Sequence, residues 1–167
     1  MEKIAMLDID GILIEYPKVF LIWTKSTKDL DFMTLEEMKE SMTVEQYEAI
    51  KKEYRYSGVK RELPIVDGAK EIMLMLKKLK WNIWVVTSRP NMHPVNTDTR
   101  YWLDNNVPYD KLTFQKDKKK LFNKSNGIKL VVDDNQEFLE WVKQNHTDIY
   151  VSNGNWNELE KWLSGDK

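Results

Sequence analysis

Cysteine is absent from the 167 residues, which excludes disulfide staples, thiolate metal sites and cysteine nucleophiles. Histidine is scarce, with only His93 and His146, and the pair lacks the spacing of an imidazole metal site. His93 reads as a loop residue beside Pro94, and His146 as a surface group or dipole partner near a helix end. No apolar run approaches the ~20 residues of a membrane span. The opening MEKIAMLDID lacks the signal-peptide pattern, so the expected location is cytoplasmic, with no membrane partner. Neither charge sign is in excess, Lys plus Arg numbering 26 and Asp plus Glu 27. No global basic field therefore recommends nucleic acid, and no acidic one forbids phosphate substrates. There is no repeat, no low-complexity tract and no glycine-rich Walker-type loop, which excludes a kinase half. What is present is an ordinary globular composition: 41% hydrophobic residues, with seven Trp, seven Tyr and five Phe. One domain with room for an insertion can be built from it.

The stretch that organises the chain is Ile4 to Leu13, IAMLDIDGIL. A short apolar run bounded by Gly11 predicts a buried strand rather than a helix. Residues two apart in extended backbone point the same way, so Asp8 and Asp10 are expected to emerge together at the strand's C-terminal end. Gly11 lets the chain turn sharply away. Open α/β sheets bind ligands at that end, and a hard cation such as Mg2+ relieves repulsion between adjacent carboxylates. An isolated Asp-x-Asp is more often an acidic turn, so the rest of the chain decides.

Residues 15–64 interrupt the α/β rhythm. An aromatic, mixed segment (YPKVFLIWTKSTKDL) precedes two capped helical stretches. Thr34 with Glu36 and Glu37 marks one start, with Leu35, Met38 and Met42 on an apolar face. Thr43 with Gln46 makes a capping box for the second. Gly58 and Pro64 mark the return. From Asp67 helices and strands alternate. The stripe Ala69, Ile72, Met73, Leu76 and Leu79 predicts a helix packed on a sheet. Strand NIWVVT follows, then a helix carrying Tyr101, Trp102 and Leu103, strand KLTF, strand GIKLVV, a helix burying Phe138, Leu139 and Val142, strand DIYV and tail helix WNELEKWL. The expected fold class is α/β, a Rossmann-like parallel sheet of about five strands with helices on both faces, formed by residues 1–14 and 65–167, with a helical insertion at 15–64 after strand 1.

Polar signals fall where predicted strands end: Asp8 and Asp10, Thr87, the lysine tract after Phe114, and Asp133 with Asp134. In a parallel sheet these ends share one rim. The rim would then hold carboxylates for a cation and a nucleophile, a hydroxyl and an ammonium group, which together suit phosphoryl chemistry.

The motifs LDIDG, WVVTSRP, a lysine before the next strand and LVVDDN, in that order on strand ends, resemble those of the haloacid dehalogenase superfamily of phosphohydrolases over nearly the whole chain. The resemblance implies Asp8 as the nucleophile that becomes an aspartyl-phosphate and Asp10 as general acid and base. It also implies Mg2+ held by Asp8, the Asp10 carbonyl and Asp133, with Asp134 in support, and Thr87 binding a phosphate oxygen. Chloride-displacing members lack the second aspartate, so Asp10 points to phosphatase chemistry. Lys116, Lys118, Lys119 and Lys120 all fit the third motif. The pair Asp117-Lys118 resembles nucleotidase relatives, which selects Lys118.

Residues 15–64 stand where this family places a helical cap. Tyr16, Phe20, Trp23, Tyr54 and Tyr56 are core or a stacking platform for a base. Tyr56 and Lys60 at the return, with Ser88 and Arg89 after Thr87, are the candidate substrate contacts. The cap size, TSRP and VVDDN most resemble the 5'(3')-deoxyribonucleotidase relatives from bacteria and phages. The expectation is a Mg2+-dependent phosphomonoesterase acting on (deoxy)nucleoside monophosphates. The alternatives are a 3'-phosphatase on nucleic-acid ends, as in polynucleotide kinase-phosphatases, and a non-catalytic binding protein.

Overall fold

The computed structural model describes residues 2–124 and 127–165. Five parallel strands form one sheet: β1 (Ile4–Leu7), β2 (Asn82–Thr87), β3 (Lys111–Phe114), β4 (Ile128–Val132) and β5 (Tyr150–Ser152), in the order β3-β2-β1-β4-β5. The apolar IAML run is the central strand, buried on both faces, as a parallel sheet requires. The chain runs outward from β1 through β2 to β3, then returns to add β4 and β5 on β1's other side. The direction therefore switches at β1, and a crevice is expected at its C-terminal end.

The alternation of side chains along β1 divides the core. Ala5 and Leu7 join one apolar cluster with Ile72, Met73 and Leu76 of α4 (Ala69–Lys78), Trp102 and Leu103 of α5 (Val95–Asn106), and Trp156 and Leu159 of α7 (Trp156–Ser164). Ile4 and Met6 join the other with Phe138, Leu139 and Val142 of α6 (Gln136–Asn145) and with Leu121 and Phe122. Helices thus cover both faces. Two members of the expected apolar stripes lie outside the core. Leu79 is exposed because α4 ends at Lys78 and Leu79 is its C-cap. Tyr101 is exposed, with the Arg61 guanidinium 5.0 Å from its ring centre.

Between β1 and α4 lie α1 (Lys18–Lys28), α2 (Leu35–Glu40) and α3 (Val44–Tyr56). The caps read from sequence form: Thr34 accepts the Glu37 N–H, and Thr43 and Gln46 make a reciprocal capping box. Helix α1 was not legible in the sequence. Its N-cap, Pro17, offers no side-chain hydrogen bond, and Val19, Ile22, Thr24 and Thr27 are weak helix formers. Tertiary burial supplies what local signals lack, because Phe20 is fully buried against Tyr54 and Tyr47, with ring centres 4.9 and 6.4 Å away. These rings and Met38 form a third cluster belonging to the inserted helices alone.

The segment leaves and returns at one place, where the Val66 N–H donates to the Leu13 carbonyl at 2.9 Å. Its return is held on α5 by the Trp102 indole N–H on the Leu63 carbonyl (2.7 Å) and by Arg61 on the buried Asp98 (2.6 Å). Among the described residues no helix is long and apolar enough to cross a membrane.

Candidate functional site

Asp8 is the first residue beyond β1. Its N–H donates to the Val132 carbonyl at 2.9 Å, continuing the ladder, and its Oδ1 accepts the Ile9 N–H at 2.8 Å. Asp133 stands in the same place beyond β4, its N–H on the Ser152 carbonyl and its Oδ1 accepting the Asn135 N–H. Because Leu7 and Val132 are register partners, the two aspartates are neighbours on the rim. Carboxylate oxygens of Asp8, Asp133 and Asp134 all lie within 4.8 Å of one another.

The structure separates the lysines that the sequence left equivalent. Lys118 opens a 3-10 segment (Lys118–Lys124) and is buried, its Nζ 2.6 Å from Asp133 Oδ2 and 3.1 Å from Asp8 Oδ2. Lys116 is exposed, Lys119 lies over the Trp141 ring, and Lys120 pairs with Asp117 at the surface. One ammonium does not neutralise the cluster. Burial pushes the Asp8 carboxyl up to about 7, with Asp133 and Asp10 adding to the effect against Lys118. Burial and Asp133 also raise Asp134. An all-oxygen donor set with charge in excess fits a hard divalent cation, for which Asp8, Asp133 and Asp134 supply the carboxylates.

The side chain of Asp10 faces a different partner. Arg89 grips it through two parallel hydrogen bonds of 2.7 Å, Nε to Oδ2 and Nη2 to Oδ1, while Nη1 donates to Thr99 Oγ1 at 3.0 Å. Burial works against ionisation, but the guanidinium charge and its hydrogen bonds hold Asp10 below the usual carboxylate range. The expected substrate contact Arg89 is therefore engaged with Asp10. The reason is local: β2 ends at Thr87, whose Oγ1 accepts the Arg89 N–H at 3.2 Å, and this tight turn sends the guanidinium inward. Thr87 itself is buried in that turn, while Ser88 is exposed.

No protein-family model matches this chain, and no curated protein matches it. The chemistry is therefore read from the geometry. Two cavities flank Ser88. The first, about 210 Å³, is lined by Asp8, Lys118, Asp133, Asp134 and Asn135 among others. The second, about 190 Å³, lies toward the inserted helices and is lined by Asp10, Tyr16, Lys51, Tyr54, Arg55, Lys60 and Arg89, with Ser88 and Pro90. Lys60 is thus on the wall. Tyr56, expected as a substrate contact, is exposed at the end of α3 and lines neither cavity; Tyr54, two residues earlier, does. Tyr16 and Tyr54, read from sequence as core or a stacking platform, line this cavity, whereas sequence reasoning missed Lys51 and Arg55. The available signal was helical spacing, since Lys51, Tyr54 and Arg55 share one face at i, i+3 and i+4.

Gly11 makes the rim possible. Its φ is +84°, and the chain winds so tightly that the N–H groups of Ile12, Leu13 and Ile14 all donate to the Ile9 carbonyl. A Cβ at Gly11 would clash with the Asp134 carboxylate. Gly11→Ala is expected to destabilise the protein by about 1–2 kcal/mol through the left-handed backbone and to displace the Asp134 carboxylate. Thermal unfolding with and without Mg2+ checks both effects: a lower Tm and a smaller Mg2+-induced rise. An unchanged Mg2+-induced rise would separate Asp134 from cation binding.

Proposed function

We propose that the protein is a Mg2+-dependent phosphomonoesterase of the haloacid dehalogenase type, acting on small phosphate esters of nucleotide size, with (deoxy)nucleoside monophosphates as the favoured class. The observation that carries this reading is the buried Asp8 carboxylate at the switch point, beside Lys118 and grouped with Asp133 and Asp134. A carboxylate beside an ammonium and a carboxylate set for a cation is suited to attack a phosphoryl group whose charge those cations offset.

In this mechanism an Asp8 oxygen attacks phosphorus, the ester P–O bond breaks, and the leaving oxygen takes a proton from Asp10. Water then attacks the aspartyl-phosphate, Asp10 accepts its proton, the P–O bond to Asp8 breaks and phosphate departs. Arg89 holds Asp10 in the carboxylate form needed for the second half. The first half requires Asp10 to carry a proton when the leaving group is in place. Lys118 offsets charge on the phosphoryl oxygens, and Ser88 and Thr87 offer hydroxyl protons to them. Asp8, Asp133 and Asp134 with the Asp10 carbonyl would hold Mg2+, which would add charge neutralisation at the phosphoryl oxygens. The inserted helices cover the approach and exclude water.

The test is a hydrolysis screen over nucleoside monophosphates, sugar phosphates and 3'-phosphorylated oligonucleotides, run with Mg2+ and with excess chelator. Expected are turnover that needs Mg2+, preference for nucleoside monophosphates, and strong loss of Mg2+-supported turnover and Mg2+ affinity in Asp133→Ala. Activity undiminished in chelator would overturn the metal assignment. A tenfold preference for oligonucleotide ends, about 1.4 kcal/mol in the transition state, would replace the mononucleotide reading with end processing.

A further inference from the structure

The second cavity carries more positive charge than the phosphomonoesterase mechanism uses. Four cationic side chains line it: Lys51 and Arg55 from α3, Lys60 from the turn that follows, and Arg89. Among the described residues the one carboxylate on the wall is Asp10, and Arg89 engages both of its oxygens. That pair cancels, leaving Lys51, Arg55 and Lys60. Among the described residues none of these three has a carboxylate within ion-pair distance. Lys51 and Lys60 rest on ring faces instead, 5.5 Å from the centres of Tyr47 and Tyr54.

Lys60 is the most informative of the three, because it is 6% exposed and has neither an ion pair nor a hydrogen-bond acceptor. A largely buried ammonium with a ring face but no anion beside it is disfavoured relative to one in water. Burial and the nearby Arg89 push its pKa down to about 8. Lys51 and Arg55 add to the repulsion, being like charges one helical turn apart. The remaining polar groups on the wall, Tyr16, Tyr54 and Ser88, are hydroxyls, and burial raises both phenols so that they stay protonated and able to donate. The wall is rich in donors and poor in acceptors. That excess of donors suits an anion.

We propose that this cavity binds a second anionic group, phosphate or carboxylate, of the same small molecule whose phosphoryl group is placed at Asp8. This rests on the phosphomonoesterase reading and moves its favoured substrate from the nucleoside monophosphate itself to a small phosphomonoester that bears a second anion. Ser88 lines both cavities, so they lie side by side within reach of one small molecule. The first anion meets Lys118 and the cation site, and the second meets Lys60, Lys51 and Arg55. Discrimination between a singly and a doubly anionic substrate then comes from the second cavity, since the first contacts only the phosphoryl group.

The experiment compares kcat/KM at low ionic strength for matched pairs: phenyl phosphate against 4-carboxyphenyl phosphate, and a nucleoside 5'-monophosphate against its 3',5'-bisphosphate. A dinucleotide 3'-phosphate is the nucleic-acid arm. The parent protein is expected to favour the doubly anionic member of at least one pair by tenfold or more, with the advantage shrinking as salt is raised. The pair that responds identifies phosphate or carboxylate. Lys60→Met, which keeps the apolar stem, is expected to bring the ratio within each pair close to one. Arg55→Met, at a partly exposed helical site, should lower the same ratio and serves if the Lys60 variant does not fold. Turnover with equal rates within both pairs would overturn the second-anion assignment and leave the phosphatase reading standing. A preference that survives both substitutions would overturn the assignment to this cavity. No turnover of any compound would overturn both readings. A dinucleotide 3'-phosphate that outperforms the bisphosphate would replace the small molecule with a nucleic-acid end.

Discussion

Asp8→Asn is expected to reduce phosphate-ester turnover by about 10⁴-fold or more, while the metal-free protein unfolds at the parent's temperature or a few degrees higher. An amide cannot form the acyl-phosphate, so the covalent step is lost. Its shape is nearly that of the carboxylate, and its carbonyl still accepts the Ile9 N–H that Asp8 Oδ1 accepts at 2.8 Å. Lys118 keeps its shorter contact, 2.6 Å to Asp133. What disappears is a buried negative charge beside Asp133 and Asp10, which burial already disfavours enough to raise its pKa to about 7. Stability without metal therefore stays level or rises. Calorimetry in chelator, paired with a turnover assay in Mg2+, checks both halves. Turnover at the parent's rate would remove Asp8 from the nucleophile's role, and a large fall in Tm would contradict the electrostatic account of the cluster.

Asp10→Ala is expected to act in the opposite sense on stability, although Asp10 is only two residues away. Arg89 is almost fully buried and gives two of its three donor contacts to Asp10. Removing the carboxylate leaves the guanidinium with Thr99 as its one remaining hydrogen-bond partner. Breaking a buried ion pair from one side is destabilising by about 3 kcal/mol or more, which for a chain of this size is roughly 6–12 °C in Tm. Turnover should fall as well, because the proton donor and acceptor is gone. Arg89→Met in the Asp10→Ala background removes the stranded charge and is expected to recover much of the lost stability without restoring turnover. A double-mutant cycle measures the coupling. Simple additivity of the two substitutions would mean that the pair contributes nothing to the fold. A stable, active Asp10→Ala would remove Asp10 from both roles.

Much of the scaffold could be read from the chain because it depends on local rules. A run such as IAML, apolar at every position and stopped by Asp8, Asp10 and Gly11, is suited only to a strand buried on both faces. The alternation of such strands with amphipathic helices then leaves a parallel sheet as the solution. The same reasoning brought the strand ends to one rim, and with them Asp8, Asp133, Asp134 and the lysine tract. Capping residues were equally legible at Thr34 and Thr43, because a cap is a contact between neighbours three residues apart.

Pairings between distant residues were decided only by the tertiary structure. The composition QKDKKK offers four lysines of one chemistry, and what distinguishes Lys118 is a 3-10 turn that carries its ammonium between Asp8 and Asp133. The fork of Arg89 on Asp10 spans 79 residues, and no local pattern distinguishes an arginine that binds substrate from one that fixes a carboxylate. Helix α1 forms because Phe20 is buried against Tyr47 and Tyr54, against the weak propensity of its own residues. The three cations around the second cavity that have no carboxylate partner among the described residues come from two separate elements, α3 and the turn after it. The sequence by itself determined the parallel sheet of about five strands and the chemical kinds of group on its rim, because periodicity and propensity act over a few residues. Which of those groups touch, and therefore what charge each carries, was decided only when packing closed the long loops between them, because burial and Coulomb interactions depend on distance in space rather than along the chain.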